Sequence, residues 1–556
     1  MQGRMPLISG LDINEDRKRL YYAQGWWRNT TLCDEWAHRV EQSPHSTYIK
    51  DETSSYTYGQ VDDAAERLSL WLSQQGVKNG DVVTFQMPKW AEFAIVYVAC
   101  LKVGAVMYPV DVRGGHDSLS QALNFTNSVV YIGPTYYHKR NYELEFHAIA
   151  HEVPHLRGAL FIDKERPSLP ADWSLSQVLE NGEALHAPCP AAADDVACIL
   201  ATSGSTGTPK RALLTHNNIL FAERSYLSVL NLTSDDIVWM PSPLNHATGF
   251  FHGLIATMLA GGSVVLQQHY RPDTAAELIR RERCTWSHGA TPFIFDLLSH
   301  LDSSKTEVPT LRFFLCGGAP VPSDLIQHAW EHHILLCESY GSTESIPHTY
   351  VPLDKCLEWN GAFSGIPYEG IEVKVVDEHR REVALGVQGE ECSRGPQVFA
   401  GYLNEPERTA RVLDADGWFY SGDLCTIDSA GRIRINGRKK EIIIRGGENI
   451  SATEVDEHLN GCPGIGAHAT IGCPDERLGE RICTFVVPTG TQTPTVADVT
   501  SWLATQEVPK RIWPERIETI DALPLTPTGK IQRYKLIEEL LRRLGASSHT
   551  TDSRGN

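Results

Sequence analysis

The sequence lacks any apolar run approaching the ~18–20 residues needed to cross a bilayer as a helix. It also lacks a CxxC pair, a cysteine and histidine cluster at zinc spacing, and any surplus of positive charge. The first absence argues against a membrane-embedded chain. The opening stretch MQGRMPLISGLDINEDRK has no secretory apolar core either, so a cytoplasmic location is the default expectation. Thirteen cysteines are scattered singly between Cys33 and Cys483, which reads as reduced, buried thiols rather than a disulfide or metal framework. A formal net charge of −19 disfavours nucleic acid and anionic lipid as partners, although local basic patches can still hold phosphates. Small molecules or other proteins are the expected partners, and nothing in the sequence fixes an oligomeric state.

With 556 residues, 42% hydrophobic and 21% charged, the chain is globular and too long for a single core. β-then-α alternation dominates. A helix is predicted over 60–75, then strand 82–86, apolar helix 91–103 and strands 129–133 and 160–163. Strand and helix pairs follow at 237–240 and 250–259, 263–267 and 273–283, 285–288 and 292–301, and 311–316 and 323–332. A last strand, 334–339, is expected to end in a glycine turn. Units of this length predict parallel sheets covered by helices, with ligands at the carboxyl ends of the strands. Residues 11–60 read as a lead-in packed on this body. From about 361 to 436 short strands with glycine turns suggest a β-barrel-like subdomain, and a mixed α+β region opens after Gly437. The expected architecture is α/β: a large domain, 1–437, with two parallel-sheet subdomains and the barrel-like one, and a small α+β domain, 438–556.

The stretch 197–216, ACILATSGSTGTPKRALLTH, organises the chemistry. An apolar run feeds a loop of hydroxyl and glycine residues, Thr202 to Gly207, and Pro209-Lys210 follows. Gly204 and Gly207 permit backbone angles that turn N–H groups toward an anion. The spacing does not fit G-x-x-x-x-G-K-[ST], and an ordinary surface turn is the alternative. Four further motifs have bland readings of their own. Ser339-Tyr340-Gly341-Ser342-Thr343-Glu344 offers a ring for a base, a hydroxyl for a phosphate and a carboxylate for Mg²⁺, or else a capped turn. In GWFYSGDL, Asp423 can accept two hydrogen bonds from a ribose diol, or simply form a turn. GRKKEIIIRGGENIS joins Arg438 to a Gly-Gly loop, or is a solvated linker. PLTPTGKIQR presents Lys530 on a loop shaped by two prolines and a glycine, where a lysine is ordinarily a solvated charge.

Taken together, in this order, TSGSTGTPK, YGSTE, GWFYSGDL, GRKKEIIIRGGENIS and PTGK resemble the adenylate-forming superfamily of acyl-CoA synthetases, peptide-synthetase adenylation domains and luciferases. The resemblance covers about residues 50–540. It implies that ATP·Mg²⁺ activates a carboxylate to an acyl-adenylate, after which the C-terminal domain rotates and coenzyme A takes the acyl group. Thr202, Ser203, Gly204, Ser205, Thr206, Gly207 and Lys210 match the phosphate loop, Thr343 and Glu344 the phosphate and magnesium positions, and Tyr340 with Gly318, Ala319 and Pro320 the adenine site. Asp423 and Arg438 match the ribose contacts, and Lys530 the lysine bridging carboxylate and α-phosphate. Lys440 matches the hinge, and Gly446 and Gly447 the loop lining the pantetheine tunnel.

The segment 240–253, MPSPLNHATGFFHG, looks most like that of medium-chain and alicyclic acyl-CoA ligases. His246 falls at the gate beside the acyl group, and Asn245, Phe250, Phe251, Gly317 and Gly341 shape the pocket. A hydrophobic carboxylic acid is the implied substrate. One residue departs from the pattern, since Arg211 stands where the family has glycine. Two effects compete there: a guanidinium adds charge beside the triphosphate, yet its bulk sits where the pattern keeps bare backbone. The alternative to a complete ligase is therefore one with impaired adenylation, which only thioesterifies a preformed acyl-adenylate. A ligase loading a carrier protein and a non-catalytic adenylate binder are the other readings.

Overall fold

The structure, a computed structural model, describes residues 14–164, 174–181, 183–202, 209–318, 320–446, 448–475, 477–490, 493–526 and 529–545. Val82–Gln86 is buried at all five positions. A strand buried on both faces needs cover on both sides, and the two polar residues of VVTFQ are satisfied inside: Thr84 by Ser128 at 2.5 Å and Gln86 by the Asp111 carbonyl at 2.8 Å. It lies inside a seven-stranded sheet, paired in parallel with the central strand Val106–Val110 and with Val130–Pro134. Gly158–Ile162 closes one side. On the other, Val196–Thr202 joins Val106–Val110, turns back as the antiparallel strand Lys210–Thr215, and ends against Gly401–Tyr402.

A nine-stranded sheet carries the later β/α units, in the order Ile366–Pro367, Ile346–Tyr350, Leu335–Ser342, Phe313–Cys316, Trp286–Gly289, Ile237–Met240, Ser263–Leu266, Thr47–Lys50 and Ser55–Thr57. Its pairings from Leu335–Ser342 to Thr47–Lys50 are parallel. Two expectations change here. The lead-in does more than pack on the body, because Thr47–Lys50 is a strand of this sheet with Tyr48 and Ile49 fully buried. The strand expected to end in a glycine turn runs on through Gly341 to Ser342 and pairs with Ile346–Tyr350.

By its internal contacts the chain divides into two units: residues 1–361, 365–372 and 393–419, and residues 362–364, 373–392 and 420–556. The stretch expected to be barrel-like is an open four-stranded sheet, Glu372–Val376, Gly389–Arg394, Phe419–Ile427 and Ile433–Arg438, and the division passes through three of its strands. The second unit also holds a five-stranded sheet with the helices Ala452–Leu459, Val496–Thr505 and Arg533–Arg543. Its core gathers Ile443, Ile450, Val455, Leu459, Ile482 and Leu503.

In the first unit, helix His216–Leu230 starts in a capping box of Thr215 with Asn218. The buried His216 Nδ1 accepts the Leu32 N–H at 3.2 Å. Burial lowers its pKa to about 4, against the opposing pull of Asp195 and Asp34. Below the ordinary value the unfolded chain binds a proton that the folded chain refuses, so this contribution is whole above about pH 6.5 and is lost toward pH 4. The expected slope is about 1.4 kcal/mol per pH unit. Melting midpoints measured between pH 7 and 4 should fall more steeply in the wild type than in His216→Asn. Equal slopes would show that His216 is not the group responsible.

Candidate active site

Thr202 and Lys210 pair across the hairpin of Val196–Thr202 with Lys210–Thr215. The connecting residues Ser203, Gly204, Ser205, Thr206 and Gly207 lie outside the described residues, as does Ala319. Lys210 Nζ lies 3.2 Å from Tyr402 Oη and 3.8 Å from Glu344 Oε1. The Tyr402 hydroxyl donates to Glu344 Oε1 at 2.7 Å. Burial first, and then the Glu344 charge, push the Tyr402 pKa up, so the phenol keeps its proton and stays a donor. Lys210 and Tyr402 belong to the seven-stranded sheet, whereas Glu344 lies in the turn after Leu335–Ser342. Tyr402 therefore links the loop hairpin to the buried carboxylate, which is 7% exposed. Sequence reasoning missed this tyrosine, because its only signal is a register pairing with Ala212 some 190 residues earlier. Tyr402→Phe should lower kcat/KM for ATP by about 10- to 100-fold, the worth of a hydrogen bond to a charged group, with melting shifted by only a few degrees. Unchanged kinetics would remove Tyr402 from the site.

Tyr340 pairs with Thr349 and stands edge-on to His348 at 4.9 Å. A Cβ on Gly341 would lie 2.6 Å from the Pro347 Cα, so the returning strand leaves room only for glycine. Thr343 is half-buried in the same turn, which Ser345 fastens through Ser393 at 2.9 Å and Gln397 at 3.2 Å. Gly317 and Gly318 follow strand Phe313–Cys316, whose last residue pairs with Glu338 in the middle of Leu335–Ser342. Gly318 takes φ +99°, and Pro320 is half-buried.

The helix predicted over 250–259 is a π-helix, Thr248–Ile255, continued by the α-helix Ala256–Ala260. π-helical turns are rare and gather at functional sites. Asn245 and His246 precede it, both half-buried, and the His246 carbonyl accepts the Phe250 N–H at 2.9 Å. Phe250 turns toward helix Glu92–Val103, its ring 5.1 Å from Phe93 and 5.4 Å from Tyr97. It supports the π-helix from the core. His252, which sequence reasoning passed over, faces Glu223 and His288 instead.

Arg211 corrects an expectation. Neighbouring residues of a strand point to opposite faces, and its side chain leaves on the face opposite Lys210, 2% exposed. The guanidinium lies 4.0 Å from the centre of the Phe125 ring and donates to Tyr108 Oη and Pro209 O, each at 3.2 Å. Its bulk is accommodated within the protein, which removes the steric reason for impaired adenylation.

In the second unit, Asp423 and Arg438 pair across the strands Phe419–Ile427 and Ile433–Arg438, with Nε 2.9 Å from Oδ1. Lys440 lies exposed in the turn Lys439–Glu441. Gly446 takes φ +60° and donates its N–H to Leu478 O at 2.7 Å. Gly447 is outside the described residues. Lys530 is exposed in a tight reversal, where its N–H reaches Thr526 Oγ1 at 3.0 Å and its carbonyl accepts the Thr526 N–H at 2.7 Å. Three residues on, Arg533 bonds Glu441 at 3.0 Å and Asp456 at 2.6 Å, tying the Lys440 turn to the Lys530 segment.

An α/β body of largely parallel sheets, in which Lys210 and Tyr402 close on the buried Glu344, followed in the chain by a smaller α+β unit, is the plan of an adenylate-forming acyl-CoA synthetase. The chain belongs to the AMP-binding enzyme family, which matches residues 36–403, and the AMP-binding enzyme C-terminal domain matches residues 454–530. It is 41% identical over 536 residues to the medium-chain fatty-acid–CoA ligase of Escherichia coli K12, covering 96% of this chain and 94% of that one. Identity to a feruloyl-CoA synthase of Amycolatopsis sp. is 33%, covering 93% and 100%. Among solved structures, ATP-bound MatB of Rhodopseudomonas palustris superposes with a TM-score of 0.84 at 26% identity, covering 93% of this chain and 100% of that one. The protein is an enzyme, an acid–thiol ligase of the acyl-CoA synthetase class. Among the described residues no helix is long and apolar enough to cross a membrane.

Proposed function

We propose that the enzyme activates a hydrophobic, medium-chain or alicyclic carboxylic acid as its acyl-adenylate and transfers the acyl group to coenzyme A, both half-reactions being intact. The observation that carries this reading is the Lys210, Tyr402 and Glu344 cluster, supported by a relative named for medium-chain fatty acids. Glu344 suits Mg²⁺: Oε1 is held by Tyr402, Oε2 makes no hydrogen bond to a described residue, and one carboxylate with substrate phosphates is the usual magnesium set. Lys210 and the loop would hold the phosphates, Tyr340 with Gly318–Pro320 the adenine, and Asp423 with Arg438 the ribose. Lys530 would neutralise the charge that keeps carboxylate and α-phosphate apart. The domain boundary at 437/438, with rotation about Lys440, and the Gly446-Gly447 loop lining the thiol channel complete the scheme.

A panel of saturated, alicyclic and aromatic acids, each offered with ATP and either coenzyme A or a phosphopantetheinylated carrier protein, tests it. The expected result is acyl-CoA from the hydrophobic acids. Product only on the carrier would replace coenzyme A as acceptor, and no thioester from any acid would end the reading.

A further inference from the structure

A stack of buried polar rings lies beneath Gly317. Tyr226, on helix His216–Leu230, stacks on His252 of the π-helix at 5.0 Å and 18°. His252 stacks on His288 at 5.0 Å and 14°. His288 belongs to strand Trp286–Gly289, and each of these histidines is 2% exposed. A Cβ added to Gly317 would lie 3.2 Å from His288 Nε2 and 3.5 Å from the Ser339 carbonyl oxygen, so glycine keeps that position beside the imidazole edge free of a side chain.

The hydrogen bonds fix which ring nitrogens carry protons. Tyr226 Oη and His288 Nδ1 are 2.8 Å apart. Burial holds the Tyr226 phenol protonated and His288 neutral. The phenol proton has no other acceptor among the described residues, so Tyr226 donates to Nδ1, and the ring proton of His288 is on Nε2. The same logic repeats one ring away. Glu223 Oε2 lies 3.1 Å from His252 Nδ1. Burial raises the carboxyl pKa well above its usual range and lowers that of His252 to about 3, so a neutral acid donates to a neutral imidazole. His288 Nε2–H itself has no hydrogen-bond partner among the described residues.

We infer that the acid this enzyme activates carries an acceptor oxygen, as a hydroxyl, ether or oxo group along an otherwise apolar skeleton, and that His288 Nε2–H binds it beneath Gly317. This rests on the reading above that Gly317 lines the acyl pocket. An apolar chain there would leave a buried N–H unpaired, and that penalty is the source of discrimination. Tyr226 acts through His288 as a positioning residue, since it fixes the tautomer.

The test measures binding without turnover. Non-hydrolysable acyl-sulfamoyl adenosines are prepared with a saturated medium-length chain and with a hydroxyl, methoxy or oxo group at successive carbons, and their Kd values are obtained by calorimetry. In the wild type at least one oxygenated analogue should bind about tenfold or more tighter than the saturated one. In His288→Phe the ratio should collapse to about twofold, while His288→Gln, whose amide N–H is still a donor, should recover part of it. If His288→Phe does not fold, Tyr226→Phe decides, because loss of the tautomer lock should lower the ratio without touching the ligand. A wild-type ratio near one, or an unchanged ratio in these variants, overturns the inference, as does failure of every analogue to bind. A preserved binding ratio with no acyl-CoA formed from any acid would instead overturn the ligase reading and leave this one standing.

Discussion

Lys530→Ala should slow acyl-adenylate formation by about 10²- to 10³-fold, the usual cost of losing one preorganised charge-stabilising group. Conversion of a supplied acyl-adenylate to acyl-CoA should stay within a few-fold of wild type. The split follows from where charge accumulates. In the first half-reaction a carboxylate approaches a phosphate, and an ammonium between them removes the repulsion; in the second the attacked carbonyl belongs to a mixed anhydride already formed. The local fold should survive, because the reversal that carries Lys530 is held by Thr526 through the Lys530 main chain. ATP–pyrophosphate exchange and acyl-adenylate-dependent thioester formation, measured on one preparation, read the two steps separately. An equal loss in both would show that Lys530 supports the structure rather than the first step.

Arg211→Gly should destabilise the protein by about 2–4 kcal/mol and should not raise its exchange rate. Two effects oppose one another. Deleting a buried cation removes a desolvation cost, but that cost is already offset by two hydrogen bonds and the face of Phe125. What remains is a cavity of nearly a full arginine side chain and a flexible residue in a strand, and both act against the variant. The Pro209 carbonyl also loses the guanidinium that holds the exit of the phosphate loop, so exchange should fall modestly. Thermal melting together with exchange settles the matter. A variant as stable as wild type with faster exchange would restore the view that Arg211 hinders adenylation.

Most of this fold was legible because buried parallel strands and their helices are spelled in short, largely apolar runs. The strands 82–86 and 237–240 occur with those bounds. What escaped was set by distant partners. Nothing in the local sequence around Tyr48 shows that the strand Thr47–Lys50 pairs with Ser263–Leu266 more than 200 residues later, or that Leu335–Ser342 continues through Gly341 because Ile346–Tyr350 turns back on it. The π-helix was read as an ordinary helix, since both bury the same apolar face and differ only in which carbonyl each N–H finds. In the first unit Lys210 and Glu344 were singled out from compact motifs, and the structure brings these two within 3.8 Å of each other. Tyr402, His252 and His288 were not singled out, because each acquires its meaning from a contact across the fold. Arg211 was noticed for its identity and misjudged for its direction, which the hairpin register alone determines.

The claim that this chain is a complete ligase is tested most directly by acid-dependent ATP–pyrophosphate exchange in the wild-type enzyme, with acyl-CoA formation followed in parallel. Exchange should require a hydrophobic acid, and thioester formation should require ATP, the same acid and coenzyme A. Absence of exchange from an enzyme that still converts a supplied acyl-adenylate to acyl-CoA would contradict that claim.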